Sequence, residues 1–316
     1  MQMSSGSSSE LAVSVTKPKT LTSLHREKLT VILLFLVPPA LIYIGLVVLP
    51  VLQAIYFSFF RWNGLGPMED FVGIDNYARI LGQNVFLRAL GNNVLIVVLS
   101  AVVQLPLALA LALLIRRNLP GRPLFRIIFF LPYVLSEVIT GVLWAFIYNP
   151  QIGLLNKVLG AIIPGFEPRG WLGDPRTVIF AVFVVISWKY FGLHLILYMA
   201  GLQNIPSDLE EAALIDGANG AQLLRHVTIP LLGPTIRLTI YLSALGALQL
   251  FDLVWIMTQG GPVSASETMA TYMYKFGFQR FAIGYGSAVA VVLFILCFAF
   301  SFVYQRYVMR RDYSHA

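Results

Sequence analysis

The segment that decides the fold is Glu211–Pro230, EAALIDGANGAQLLRHVTIP, a polar stretch in a chain of 316 residues that is 58% hydrophobic. Long apolar runs flank this polar segment on both sides. Only 12% of the residues are charged, against about 25% in soluble domains, and the mean hydropathy is +0.77. Such a chain needs lipid as the solvent for much of its surface, so the polar segment lies outside the bilayer, between two membrane spans.

Six apolar runs of roughly 20 residues or more match the thickness of a hydrocarbon core. Because the runs are continuously apolar, they predict helices rather than the alternating strands of a barrel. We therefore predict an all-α membrane protein with about six transmembrane helices. The predicted spans are about 31–60, 94–115, 127–148, 178–200, 236–258 and 283–303.

The distribution of basic residues predicts the orientation of these spans. The N-terminal tail, the loop 116–126, the region 203–237 and the C-terminal tail hold 13 Lys and Arg, whereas the other three loops hold 8. The positive-inside rule then places both termini and the polar segment in the cytoplasm. This topology gives a cytoplasmic polar tail over 1–29 and a six-helix membrane domain over 30–316, with a cytoplasmic loop over 203–232. It also accounts for the net charge of +7, so we expect no nucleic-acid partner.

Turn and capping residues predict two short helices in and just before the polar segment. Ser207 and Glu210 have the spacing of a capping box, and Gly217 is placed to end the first helix in a left-handed conformation. Asn219 can cap a second helix, and Pro230 is expected to stop it. The result is a helix–turn–helix at the cytoplasmic surface, which either contacts a partner or packs on the chain's own bundle.

The polar segment resembles the EAA motif of bacterial ABC-importer permeases and precedes the penultimate span, as it does in that family. The matching residues are Glu211, Ala212, Ala213, Asp216, Gly217, Ala218 and Pro230. Leu224 departs from the pattern, since sugar permeases often have Phe there, but the position stays apolar. FVGIDNY at 71–77 and TQGGP at 258–262 resemble loops of the maltose- and glycerol-3-phosphate-type permeases. Nearly the whole chain beyond the tail thus resembles the F-type permease subunit of a carbohydrate importer.

The resemblance implies a type I ABC-importer transmembrane domain that moves a sugar or oligosaccharide inward by alternating access. The membrane would be the cytoplasmic membrane of a bacterium or archaeon. The polar segment would be a coupling helix that inserts into a cytoplasmic ATPase subunit. The implied partners are a second, G-type permease, a dimer of ATPase subunits, an extracytoplasmic substrate-binding protein and membrane lipid.

The sequence has no GxxxxGK[ST] phosphate loop, which ATP hydrolysis by this class of motor requires. We therefore expect that the chain is not an enzyme, and that ATP and Mg bind to the separate ATPase subunit. No cofactor and no metal site are expected on this chain.

Charged residues inside membrane spans are costly, and they usually face a bundle interior or an aqueous cavity. Glu137 and Lys189 either pair and hold the bundle together or line a pathway that hydrogen-bonds sugar hydroxyls. Gln249, Asp252 and Trp255 are three residues apart and are predicted to share one helical face. The candidate pathway residues are Glu137, Trp188, Lys189, Tyr190, Gln249, Asp252 and Trp255.

Aromatic residues in and near the spans have two readings. Trp188, Tyr190 and Trp255 could stack on a sugar ring or anchor the helices at the membrane interface. For Tyr272, Tyr274, Phe276 and Phe278, in the loop before the last span, the sequence favours the outer membrane interface.

Other function classes remain open on the sequence. An ion-coupled secondary transporter would use the intramembrane charges as ion or proton sites, but it has no reason to carry the polar segment. An ABC permease for a non-sugar solute would share that segment. An intramembrane enzyme is disfavoured, because the four histidines are scattered and show no metal spacing or nucleophile–base pair.

Overall fold

The computed structural model describes residues 21–116 and 122–309, and the side chains of residues 31–115 and 124–309. Within these ranges the chain is helical, and its one β pairing is an isolated bridge between Phe60 and Phe71. The prediction of an all-α protein is therefore confirmed.

The helices are, in order, α1 (Leu21–Tyr43), α2 (Leu49–Phe57), α3 (Asp75–Leu81), α4 (Asn84–Leu99), α5 (Leu105–Arg116), α6 (Arg122–Val134), α7 (Glu137–Ile147), α8 (Leu154–Ile162), α9 (Val178–Gln203), α10 (Ser207–Ile215), α11 (Gly220–Leu223), α12 (Ile229–Leu231), α13 (Gly233–Leu248), α14 (Asp252–Thr258), α15 (Met269–Tyr274) and α16 (Ile283–Tyr307). Short π-helical turns join or extend some of them, at Ile44–Val48, Ser100–Gln104, Leu224–Thr228 and Lys275–Gln279.

Four helical stretches are long and apolar enough to cross a membrane. They are Val31–Phe57, Asn84–Ile115, Val178–Gln203 and Ile283–Tyr307. Two bent helix pairs pass the same test together, Leu124–Val134 with Glu137–Ile147 and Gly220–Leu231 with Gly233–Leu248. The described residues thus provide six spans if each bent pair crosses once, in agreement with the predicted number.

The predicted third span, 127–148, is wrong as a single helix, because α6 and α7 meet at 98°. Ser136 is extended (φ −64°, ψ 154°) and its hydroxyl accepts a hydrogen bond from the backbone N–H of Ile139, so it caps a new helix. The carbonyl of Leu135 accepts a hydrogen bond from the Lys189 ammonium instead of from a helical N–H. A side chain from another helix therefore satisfies the backbone group that the break would leave unpaired.

The predicted fifth span, 236–258, is also wrong as a single helix, because α13 ends at Leu248 and α14 begins at Asp252. Asn93 donates to the carbonyl oxygens of Ala247 (2.6 Å) and Leu248 (3.2 Å), and its own oxygen accepts from the backbone N–H of Met269. The Asn93 side chain, from the distant helix α4, thus takes over the carbonyls at the end of α13, and the helix can stop inside an apolar run.

Helix α9 is the centre of the bundle, and more than half of its most apolar window is buried. It packs against α5 and α6, and Gly192 brings its backbone into direct contact with the backbone of Phe129 in α6. A side chain at position 192 would overlap that backbone, so the glycine fixes the separation of the two helices. Near the C-terminal end of α9, Gly201 lies close to the side chains of Leu232 and Thr235.

The chain divides into two units, Met1–Gln53 and Ala54–Ala316. In the first unit, residues 31–43 of α1 are apolar on all sides, and none of the described side chains up to Gln53 is buried. Three predicted basic regions extend beyond the described residues, which omit 1–20 of the N-terminal tail, 117–121 of the loop 116–126 and 310–316 of the C-terminal tail.

Candidate coupling surface and substrate pathway

The polar segment and the residues just before it form two short helices, α10 and α11, joined by a tight turn. Gly217 has φ +87°, as predicted. Its N–H donates to the carbonyl of Leu214 (3.1 Å), and the N–H of Ala218 donates to the carbonyl of Ala213 (3.0 Å). This pair of bonds is a Schellman motif, which ends a helix with a glycine in the left-handed conformation.

The second helix of the polar segment begins with a reciprocal capping box. The side-chain oxygen of Asn219 accepts from the N–H of Gln222 (2.9 Å), and the side-chain oxygen of Gln222 accepts from the N–H of Asn219 (2.8 Å). The prediction that Asn219 caps this helix is confirmed. With Gly217 before it and Asn219 after it, the turn has a defined conformation at both ends.

Two details of the predicted caps are wrong. Pro206, not Ser207, occupies the N-cap of α10, and the hydroxyl of Ser207 contacts the neighbouring carboxylate of Asp208 (3.3 Å). Glu210 instead accepts a hydrogen bond from the hydroxyl of Thr228 (3.0 Å). Because Thr228 lies in the π-helical turn after α11, this bond ties the two arms of the helix–turn–helix together.

Pro230 does not stop the second helix, contrary to the prediction. It lies in the first turn of α12, directly after the π-helical turn Leu224–Thr228. Proline is tolerated at that position because the N–H groups of a helix's first turn have no partner within the helix, so no helical hydrogen bond is lost. The helix continues to Leu231 and then bends by 64° into α13.

The outer surface of α10 combines acidic and apolar side chains. Glu211, Ala212 and Asp216 are exposed, and no residue of α10 is buried. Ile215 is 86% exposed, and Leu214 is exposed beside it. Exposed aliphatic side chains next to fixed charges are typical of a docking surface rather than of a loop packed on its own bundle.

The structure brings four of the predicted pathway residues together at the break between α6 and α7. Lys189 is 3% exposed, and its ammonium lies 3.6 Å from Oε1 of Glu137. The hydroxyl of Tyr190 donates to the same oxygen (2.7 Å), and Asp252 is the first residue of α14, which packs beside α7. Of the two readings left open for Glu137 and Lys189, the pairing is observed.

One of the two carboxylate oxygens of Glu137 has unused capacity to accept a hydrogen bond. Its Oε2 is buried and has no hydrogen-bond partner among the described residues. Glu137 and Asp252 are the first residues of α7 and α14, which pack side by side with Gly141 directly beneath Ile256. Each carboxylate thus lies at a helix N-terminus, where the helix dipole favours a negative charge.

The other predicted pathway residues are arranged differently. Asp252 and Trp255 lie one turn apart on α14 and share a face, as predicted, but Gln249 does not share it, because the chain leaves helical geometry at Phe251 (φ −129°, ψ −62°). Trp188 packs edge-on against Trp144, with ring centroids 5.5 Å apart, so it is part of the bundle's interior packing. Trp255 belongs to a separate group of aromatic rings that includes Phe251 and Tyr274.

A cavity of about 220 Å³ lies between α9, α13 and the π-helical turn Ser100–Gln104. Apolar side chains line most of it, together with Tyr190 and the polar residues Ser100, Gln104, His194 and Ser243. Nε2 of Gln104 and Nδ1 of His194 are buried without a hydrogen-bond partner among the described residues. A mostly apolar cavity with a few converging polar groups is the usual form of a small-molecule site.

Of these cavity residues, the sequence reading identified only Tyr190 as part of the pathway. A signal for Gln104 was present, because Ser100 and Gln104 are polar residues four apart inside an apolar run. They bracket a π-helical turn, a feature that is frequent at functional sites. His194 is a second such signal, because it is a titratable residue inside an apolar span and lies on α9 with Lys189.

Comparison with known proteins identifies relatives over most of the chain. The family described as "Binding-protein-dependent transport system inner membrane component" matches residues 104–312. The chain is 38% identical over 276 residues to "Probable ABC transporter permease protein YurN" of Bacillus subtilis, covering 87% of this chain and 94% of the relative. It is 32% identical over 273 residues to "Trehalose/maltose transport system permease protein MalF" of Thermococcus litoralis, covering 86% and 92%.

A similar solved structure agrees in fold. It is the crystal structure of a bacterial alginate ABC transporter in complex with an alginate pentasaccharide-bound periplasmic protein. One of its chains superposes with a TM-score of 0.78 at 22% identity, over 92% of this chain and 96% of that chain.

Proposed function

The chain belongs to the family of binding-protein-dependent transport system inner membrane components, and we propose that a separate ATPase drives it through the polar segment. It is the permease subunit of an ABC importer that moves a sugar or an oligosaccharide inward across a membrane. Relatives named for diacetylchitobiose and for trehalose/maltose support this class of substrate, whereas another is named for sn-glycerol-3-phosphate, which is not a sugar.

The observation that carries the coupling proposal is the exposed, capped geometry of the polar segment. The Schellman turn at Gly217 and the capping box at Asn219 hold two helices in a fixed relation. The surface they present combines the Glu211 and Asp216 carboxylates with the exposed side chain of Ile215. Glu211 would pair with a basic residue of the ATPase, while the aliphatic side chains fill a cleft on it.

ATP hydrolysis would take place on partner subunits. The sequence lacks a phosphate loop, so ATP and Mg would bind to a dimer of cytoplasmic ATPase subunits, and this chain would catalyse no reaction. The charge distribution puts both termini and the polar segment in the cytoplasm. A second, G-type permease would complete the pathway, and an extracytoplasmic binding protein would deliver the sugar.

The sugar would pass through the cavity and past the carboxylates of Glu137 and Asp252. Gln104, His194 and Ser243 offer hydrogen-bonding groups to hydroxyls inside the cavity, and Tyr190 connects the cavity to Glu137. The uncommitted Oε2 of Glu137 can accept a further hydrogen bond from a sugar hydroxyl. Alternating access requires that these groups be exposed to one side of the membrane at a time.

This proposal is tested by measuring sugar uptake in two charge-reversal variants, one in the polar segment and one outside it. Glu211→Lys should abolish sugar uptake by cells that produce all subunits, while the protein still inserts in the membrane. Glu167→Lys makes the same charge change at an exposed residue of the loop between α8 and α9, and uptake should persist. Undiminished uptake by Glu211→Lys would rule out the coupling role.

A further inference from the structure

A group of four aromatic rings runs outward from the break between α13 and α14. We name Phe251, Trp255, Tyr274 and Phe278 the aromatic ladder. Phe251 stacks on Trp255 with an interplanar angle of 11° and centroids 5.7 Å apart. Tyr274 contacts Trp255 edge-on at 4.7 Å and also Phe251 at 5.4 Å. Phe278 extends the ladder by stacking on Tyr274 at 5.5 Å.

The two ends of the aromatic ladder lie in different surroundings. At the inner end, Phe251 directly follows Leu250, which lines the cavity. At the outer end, Phe278 is 59% exposed and belongs to the loop before the last span. The rings between them are only partly buried, so part of each ring remains accessible. The ladder therefore runs from an exposed residue to the chain neighbour of a residue that lines the cavity.

Asp252, beside the inner rings, indicates whether the ladder faces lipid or a polar environment. Asp252 is exposed, directly follows Phe251 and is the first residue of α14, the helix that carries Trp255. Its helix, α14, packs on α7, which is half of a membrane span. A carboxylate in that position is too costly to face lipid. Water, a polar solute or a polar group of a partner subunit must therefore lie beside Asp252, and the rings next to it share the same space.

A second row of aromatic rings, on α16, differs from the ladder because no charged residue lies within it. Phe294, Phe298 and Phe302 stack at intervals of one helical turn along α16, with centroids 6.0 and 6.4 Å apart. All three are exposed, and within Phe294–Phe302 the sequence FILCFAFSF has no charged residue. This row has the character of a lipid-facing surface, and it provides a control with the same chemistry.

We propose that the aromatic ladder is a binding track for the pyranose faces of an oligosaccharide, along which the sugar reaches the cavity. The apolar C–H face of a pyranose packs on an aromatic ring, while its hydroxyls point outward to groups such as Asp252. Successive rings bind successive sugar units, so the ladder favours chains of two or more linked pyranoses over a monosaccharide. This inference rests on the proposed function and assigns its substrate class.

The first test asks whether the ladder faces water, and it needs no ligand. In the Cys297→Ala background of the assembled transporter, Trp255→Cys and Phe298→Cys are labelled in membranes with a membrane-impermeant thiol reagent. Only a hydrated thiol ionises and reacts readily. We expect Trp255→Cys to react much faster than Phe298→Cys. Equal, slow labelling at both positions would overturn the proposal.

The second test measures uptake of maltose, maltotriose and maltopentaose by vesicles that hold the complete transporter. Trp255→Ala should raise KM roughly two- to tenfold, more for the longer sugars, and Trp255→Phe should restore most of the affinity. Phe298→Ala should leave KM unchanged for every length. Equal losses in Trp255→Ala and Phe298→Ala at all lengths would overturn the ladder. Absence of all uptake by the wild type would count against the sugar class in the proposed function, and the labelling test would still decide the ladder.

Discussion

Replacing Gly217 by alanine should weaken coupling without disturbing any packed contact. Gly217 has φ +87°, and no atom lies within 4 Å of the Cβ that alanine would add. The cost is therefore conformational alone, roughly 1–2 kcal/mol for a non-glycine residue in the left-handed region. A cost of that size lowers the population of the observed turn by a factor of roughly 5–30. Since the turn fixes the relation of α10 to α11, sugar-stimulated ATPase activity should fall by up to the same factor.

Two matched variants separate this effect from a general sensitivity of the polar segment. Gly220→Ala adds the same methyl group three residues later, at the start of α11, where there is again no atom within 4 Å. A helical position favours alanine over glycine by about 0.5–1 kcal/mol, so activity should persist. Gly217→Asn should lose less activity than Gly217→Ala, because asparagine adopts the left-handed conformation more readily. ATPase activity of the complete transporter in lipid nanodiscs, with and without sugar and binding protein, is the assay. If Gly217→Ala matched Gly220→Ala, the reasoning from the turn would be refuted.

Three further predictions concern the bundle. Lys189→Met should destabilise it by about 3–5 kcal/mol, because the Glu137 carboxylate loses its cation; thermal unfolding in detergent should show the loss, and adding Glu137→Gln should recover part of it. Gly192→Ala should cost about 1–3 kcal/mol, since its methyl overlaps the backbone of α6, whereas Gly91→Ala, with no atom within 4 Å, should melt like the wild type; equal melting temperatures for the two variants would contradict the close packing of α6 and α9. Asn93→Leu should cost about 1–3 kcal/mol by leaving buried backbone groups unpaired, and a melting temperature equal to that of the wild type would exclude this bracing role.

Local features of the polar segment could be predicted from the sequence because they depend on neighbouring residues. A left-handed glycine and an asparagine cap act within a few positions, and both were found where the sequence placed them. Ser207 and Glu210 show the limit of this reasoning. They have the spacing of a capping box, but Glu210 bonds to Thr228, which is distant in sequence. A local pattern cannot anticipate that a tertiary partner takes the side chain.

The two broken spans could not be predicted for the same reason. The continuously apolar runs correctly indicated which segments can span a membrane, but an apolar run does not show where a helix ends within it. The break after Val134 depends on Lys189, and the one after Leu248 depends on Asn93. Both partners lie more than 50 residues from the break that they stabilise. The cavity escaped prediction likewise, because Gln104 and His194 meet only through the packing of α9.

The contact between the polar segment and a separate ATPase is the central claim, and site-specific cross-linking tests it most directly. In the Cys297→Ala background, Ile215→Cys places a thiol on the most exposed part of α10, and Ile152→Cys places one at an exposed position between α7 and α8. A short bifunctional thiol–amine reagent is applied to membranes that contain all transporter subunits. Ile215→Cys should cross-link to the ATPase subunit, and Ile152→Cys should not. A transporter that still takes up sugar while Ile215→Cys forms no ATPase adduct would contradict the account.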